Sequence, residues 1–281
     1  MGKLVLVTDS TADLPGDVAA EAGIAVAPSR FAFRDQAFSD GDLSPAELYG
    51  RMARDGEAPK PFGVPEASFR AIFTQCFEAG ESPLCIVSPF DVNPSFTTAL
   101  AAMLSFDSAD MKVIHAGVAS VGLGALALSL AGAVRAGWDR AKLLAAIEEA
   151  GPQCDALFVP ADVAWIERAG RLPLIEEKLG PVDDTALLRV GSRITGVARA
   201  ASQDDGLTEA ARRAPSRLTS GNRAIALVAH AVAADRAERV AQSLRRSPAI
   251  ARVIVTNLSA TIGSQLGPGA IGIGIAPVIA E

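Results

Sequence analysis

Through the first half of the chain, short apolar runs alternate with longer stretches of helical periodicity, and this alternation restricts the fold more than any other feature. Lys3 to Val7, Ile24 to Pro28, Leu84 to Val87 and Lys112 to His115 read as strands. Gly16 to Ala22, Glu66 to Glu78, Ser95 to Leu104, Val118 to Ala136 and Asp139 to Ala150 read as helices. A wholly apolar run such as Leu84 to Val87 suits a strand buried on both faces, and strand–helix repeats imply a parallel sheet with helices on both sides. Punctuation supports the same division. Pro15 opens the first helix with Asp13 or a nearby hydroxyl as cap, and Gly23 closes it. Ser44-Pro45-Ala46-Glu47 has cap, proline and acid in the order of a helix start. Phe31-Ala32-Phe33 and Ala37-Phe38 fit a hairpin around Arg34-Asp35-Gln36. Ala58 to Pro65, with three prolines and a glycine, reads as an ordered loop or linker.

The pattern changes beyond Pro152. Ala156 to Val159, Ala224 to His230, Val253 to Asn257 and Ala270 to Ala276 read as strands, and Ala186 to Val190 with Arg193 to Val197 as a hairpin around Gly191-Ser192. Val163 to Ala169 is a short helix, Gly170 to Pro173 a turn, and Ala234 to Arg245 an amphipathic helix. The expected class is therefore α/β, with a Rossmann-like parallel-sheet domain over residues 1–152 and an α+β domain over 153–281.

Composition excludes several functions. A net charge of −6 disfavours nucleic acid as a partner. Cys76, Cys85 and Cys154 form neither a disulfide framework nor a metal pair, and with only His115 and His230 a histidine-rich metal site is not expected. Met1-Gly2-Lys3 runs directly into a strand without a signal-peptide pattern, so the expected location is the cytoplasm. Ala116 to Val134 carries no charge, but its Ala, Gly and Ser content suits a buried helix better than a membrane span.

Three segments invite chemistry. Thr8-Asp9-Ser10-Thr11 joins a strand to a helix, where open α/β sheets place their ligands, although a capped turn explains it equally well. Gly122-Leu123-Gly124-Ala125-Leu126-Ala127 matches G-x-G-x-x-A, yet Gly117 to Val121 separates it from the strand, so close helix packing is the better account. Gly267-Pro268-Gly269 offers amides for a carboxylate, or simply a tight turn beside a crowded sheet. The clustering of all phenylalanines but Phe158 at or before Phe106 fits an apolar tunnel or an ordinary core. No nucleophile, base and orienting acid come together, so no catalytic set and no cofactor are expected.

Taken in order, four segments resemble the DegV family along essentially the whole chain. They are Thr8-Asp9-Ser10-Thr11-Ala12-Asp13-Leu14-Pro15, Gly117 to Gly124, Trp165-Ile166-Glu167-Arg168-Ala169-Gly170-Arg171-Leu172, and Gly263-Ser264-Gln265-Leu266-Gly267-Pro268-Gly269-Ala270. The resemblance implies a Rossmann-like domain, a second domain with a mixed sheet, and one fatty acid buried between them. It also implies that some members present the acid to a separate fatty acid kinase.

The sequence departs from the family at the head-group end. Pro61-Phe62-Gly63-Val64-Pro65 replaces a hydroxyl-rich loop, Ser88 is the plausible survivor of a second loop running to Ser95, and Gln265 stands for a histidine. Head-group contacts are therefore expected at Ser10, Phe62, Gly63, Ser88, Gln265 and the amides around Gly267. Arg168, Arg171 and Arg199 are candidates for a partner or phosphate contact. A binding module of the same fold for a different small ligand, and less favourably a nucleotide-dependent enzyme, are the competing expectations.

Overall fold

The first apolar run forms β1 (Lys3–Asp9) in the computed structural model, which describes residues 2–90, 93–106, 111–182, 185–191 and 193–280. A 3-10 turn over Ser10–Ala12 leads into α1 (Gly16–Ala22), which Gly23 ends at φ 70°. β2 (Ile24–Ala27) and the hairpin β3 (Arg30–Phe33) and β4 (Gln36–Ser39) follow. Ser44 and Glu47 close a complete capping box at the start of α2 (Pro45–Asp55).

The proline-rich stretch is not a loop. It contains β5 (Lys60–Gly63), paired antiparallel with β3 at the edge of the small sheet β4-β3-β5. An edge strand tolerates the missing N–H of Pro61, which is why the proline count misleads there. α3 (Glu66–Glu78), β6 (Glu81–Val87), α4 (Ser95–Met103) and β7 (Lys112–His115) complete a parallel sheet of order β2-β1-β6-β7. Phe69 and Phe73 stack on each other, and Phe106 meets Phe73 edge-on and stacks on Phe77. Much of the phenylalanine enrichment is thus a core between α3, α4 and the sheet.

α5 (Val121–Arg135) and α6 (Arg140–Ala150) precede β8 (Asp155–Val159), α7 (Ala164–Arg168), α8 (Leu172–Leu179), β9 (Thr185–Val190) and β10 (Ile194–Ala200). α9 (Gln203–Arg213), β11 (Ala224–His230), α10 (Ala234–Arg245), β12 (Ile250–Asn257), α11 (Ala260–Leu266) and β13 (Ile271–Pro277) complete the chain. The last six strands form one mixed sheet of order β10-β9-β8-β13-β11-β12, in which only β11 and β12 run parallel. Of the hairpin turn expected at Gly191-Ser192, Ser192 lies outside the described residues.

The uncharged Ala116 to Val134 stretch becomes the loop before α5 and α5 itself, which packs against β11 and β13 of the mixed sheet and against β1 of the parallel one. Among the described residues no helix is long and apolar enough to cross a membrane. The Gly122 and Gly124 positions serve packing. A Cβ on Gly124 would sit 2.3 Å from the Ala12 carbonyl oxygen, and one on Gly274 of β13 would sit 2.2 Å from the Val121 carbonyl carbon. One apolar cluster consequently spans both halves, from Leu6, Phe31 and Tyr49 to Phe158, Leu227 and Ile262.

Candidate functional site

Where β5, the turn before α4, the α7–α8 junction and α11 meet, they enclose an open cleft of about 420 Å³. Its walls are Ala58, Pro59, Pro61, Phe62 and Gly63 on one side, with Asn93 and Pro94 beside them. Arg168, Ala169, Arg171, Thr261, Ser264 and Gln265 face them from the second half. Gly63 adopts φ 76°, and a Cβ there would lie 2.8 Å from the Pro94 ring, so glycine is what lets the two first-half segments close together.

Polar groups in this cleft are mostly committed. The Gln265 side chain donates from Nε2 to the Thr261 carbonyl at 3.1 Å and accepts from Arg171 Nε at 3.2 Å. Ser264 Oγ also donates to the Thr261 carbonyl, at 3.0 Å, and Asn93 Nδ2 donates to Thr11 Oγ1 at 3.0 Å. Gln265 therefore orients Arg171 and commits one of its two amide protons to the Thr261 carbonyl. Arg168 stacks its guanidinium 4.7 Å from the Trp165 ring centroid. Two fixed cations at the rim of a cleft with proline, alanine and phenylalanine walls suit an amphipathic anion.

Five of the nine residues expected from sequence meet here: Phe62, Gly63, Arg168, Arg171 and Gln265. The other four do not line the cleft. Ser10 Oγ accepts from the Ser29 amide at 2.9 Å and donates to Ser29 Oγ at 3.1 Å, and Ser29 in turn lies 3.3 Å from Thr261 Oγ1. Ser88 follows β6, is buried, and its Oγ has no hydrogen-bond partner among the described residues. Of the loop that follows it, Asp91 and Val92 lie outside the described residues. The Gly267 N–H is spent on the Gly263 carbonyl at 2.8 Å, and the Gly269 N–H on the Ala231 carbonyl at 2.7 Å, so neither amide is free. Gly267 has a steric role instead, since a Cβ there would lie 2.2 Å from the Trp165 indole. Arg199 donates from Nε to the Leu179 carbonyl at the end of α8.

Thr261 and Ser264 are hidden in the sequence because α11 carries little helical signal, and Asn93 and Pro94 because only the packing of the turn before α4 brings them to the cleft. The seven residues of α11 include Gly263 and two β-branched side chains, which weaken the helical signal, and only Ser259 before it marks a start. Gly263 is required there: a Cβ would fall 1.9 Å from Tyr49 Oη, whose hydroxyl donates to the Leu258 carbonyl at 2.8 Å.

Beside the cleft, three carboxylates lie in the seam, Asp9 and Asp13 buried and Asp40 partly so. Asp9 accepts from the Thr11 amide at 2.8 Å and from Thr11 Oγ1. Asp13, expected to cap α1, instead accepts from Ser120 Oγ and, at 2.6 Å, from the Ser259 amide. α1 is left without a side-chain cap, with Pro15 at the cap position. Asp40 accepts from the Ala260 amide at 3.2 Å and from Ser29 Oγ at 3.1 Å. Burial pushes the Asp13 carboxyl up to about 7 and raises Asp9 and Asp40 in the same direction. Burial, with Asp13 and Asp40 nearby, also raises the Tyr49 phenol.

Comparison with known proteins gives one family throughout. The DegV family, described as one of uncharacterised proteins, matches residues 3–278. A DegV domain-containing protein of Halalkalibacterium halodurans is 24% identical over 278 residues, covering 97% of this chain and 98% of its own. A DegV family protein of Thermus thermophilus, described by its fatty acid binding, superposes with a TM-score of 0.87 at 23% identity, covering 98% of this chain and 99% of that one. Bacillus subtilis DegV, described as a fatty acid binding protein, gives 0.86 at 21% identity over 99% of this chain and 100% of that one. The fold, with its parallel sheet and its mixed sheet, is thus shared with solved structures.

Proposed function

This chain belongs to the DegV family, and from that premise we propose that it binds a single long-chain fatty acid, or a lipid of similar build, between its two halves. We take residues 1–152 and 153–281 as the two domains, because strands up to β7 lie in the first two sheets and strands from β8 on lie in the third. The observation that carries the proposal is the cleft itself, in which first-half walls of Pro61 and Phe62 face second-half Arg171 across about 420 Å³. An acyl chain buries against the apolar walls, each methylene contributing roughly 0.8 kcal/mol. The carboxylate meets the outer N–H groups of Arg171, whose Nε is already held by Gln265.

Binding without catalysis is the role we assign. Arg168 and the half-exposed Phe62 at the rim are the contacts through which a separate fatty acid kinase would receive the lipid. We place the protein in the cytoplasm, where its three free cysteines remain reduced.

Native mass spectrometry of protein purified from cells tests the proposal. The expected spectrum shows one acyl chain per protein, and protein that arrives empty and takes up no added fatty acid refutes it. Arg171→Ala is expected to weaken a fluorescent fatty acid by roughly tenfold or more, the scale of a charge-directed hydrogen bond. A different small ligand is favoured by one feature, the absence of any hydroxyl from Pro61 to Pro65. A co-purified compound with an uncharged head group would identify that case.

A further inference from the structure

α11 carries Thr261, Ser264 and Gln265 into the cleft, yet it does not cap itself. Ser259 occupies the cap position, where a serine hydroxyl ordinarily accepts from an amide two or three residues on. Here that hydroxyl makes no such bond to its own helix and lies beside Asp13 instead. The first amides of the helix are served from the other half of the molecule. Asp13 Oδ1 takes the Ser259 N–H at 2.6 Å, and Asp40 Oδ1 takes the Ala260 N–H at 3.2 Å. Each carboxylate is itself held by a second donor, Asp13 by Ser120 Oγ and Asp40 by Ser29 Oγ. Tyr49 adds a third first-half contact by donating to the carbonyl just before the helix, at Leu258.

We propose that Asp13 and Asp40 are positioning residues that cap α11 in trans and thereby set the second-half wall of the cleft. The inference about ligand affinity rests on the cleft being the lipid site, whereas the capping itself does not. Burial raises both carboxyls, yet a protonated carboxyl still keeps an oxygen that accepts from these N–H groups, so the caps persist in either state. Because α11 is only seven residues long, fixing its first turn fixes Gln265 and, through it, Arg171. The groups facing this pair are Asp9, Tyr49, Ser10, Ser29, Ser120 and Ser259, none of which is a cation.

Hydrogen–deuterium exchange of ligand-free protein, resolved over residues 259–266, tests the capping directly. Asp13→Ala and Asp40→Ala are each expected to speed exchange of the Ser259 and Ala260 amides by roughly tenfold, the scale of a lost cap. Asp13→Asn keeps an acceptor for the Ser259 N–H and is expected to restore most of the protection. Leu244→Ala, in the separate core beneath α10, controls for general destabilisation. Faster exchange in this segment no greater than that of Leu244→Ala overturns the proposal, as does an Asp13→Asn protein as unprotected as the alanine variant. If Asp13→Ala does not fold, Asp40→Ala and Asp13→Asn decide the question. The same variants are then titrated with a fluorescent long-chain fatty acid. Asp40→Ala is expected to bind it about tenfold more weakly than Leu244→Ala does. Exchange effects without any fatty acid binding by the wild type would sustain the capping and refute the lipid reading alone.

Discussion

Asp13 has the reverse of the usual carboxylate linkage. Its carboxyl ordinarily titrates at 3.8 and in the folded protein is pushed up to about 7, chiefly by burial. Between those values the folded state holds a proton that the unfolded state has released, so stability from this group falls as pH rises from about 4 to about 7 and is level above. Thermal melts of wild type and Asp13→Asn across that window are expected to diverge, the wild type losing ground as pH rises. Parallel curves would contradict this. The raised Asp9 and Asp40 act in the same direction, and so the seam as a whole is more stable when its carboxylates are protonated. Surface acids such as Glu209, held down to about 2 by Arg212 and Arg213, pull the opposite way only at lower pH. Taking the difference between the two proteins cancels them.

Helices and strands with clear local punctuation are legible in the sequence. α1, α3, β7, β11 and α10 match their expected bounds residue for residue, because cap, stripe or apolar run agreed in each. β5 reads as a loop in sequence because proline statistics describe central strands, while its own place is an edge. α8 and α11 leave little trace in the sequence for a related reason: one starts directly at Leu172-Pro173, and the other depends on Asp13 and Asp40 for its caps. Five of the thirteen residues that line the cleft are among those the sequence singles out. Motif residues Arg171 and Gln265 were found, but Thr261, Asn93 and Pro94 enter the cleft only through packing that spacing does not express. Glycine contacts carry the sharpest prediction at this scale. Gly274→Val would drive side-chain atoms into the Val121 backbone, and Gly274→Ala already places a Cβ within 2.2 Å of it. Overpacking of this kind typically costs about 1–3 kcal/mol, so Gly274→Ala should lower the denaturant midpoint accordingly. A Gly16→Ala control, whose added Cβ meets nothing within 4 Å, should leave it nearly unchanged.

At the scale of the whole molecule, the two halves are separate in their sheets but not in their core. The cluster joining Leu6 and Phe31 to Phe158 and Leu227 passes through α5, whose buried face touches both sheets. Chemical unfolding followed by tryptophan fluorescence is expected to show a single transition. Both tryptophans are informative, since Trp165 lies in the second half beside the cleft and Trp138 packs against the same cluster from the first. Two resolved transitions would mean that the halves open independently. The bond between Asp13 and the Ser259 amide also ties positions 246 residues apart. Closing so long a span is slow, because the chain must surrender its freedom before any contact across it compensates. The wall that holds Gln265 therefore cannot be completed until residues 259–266 have left the ribosome, whereas every strand of the first sheet lies at or before His115.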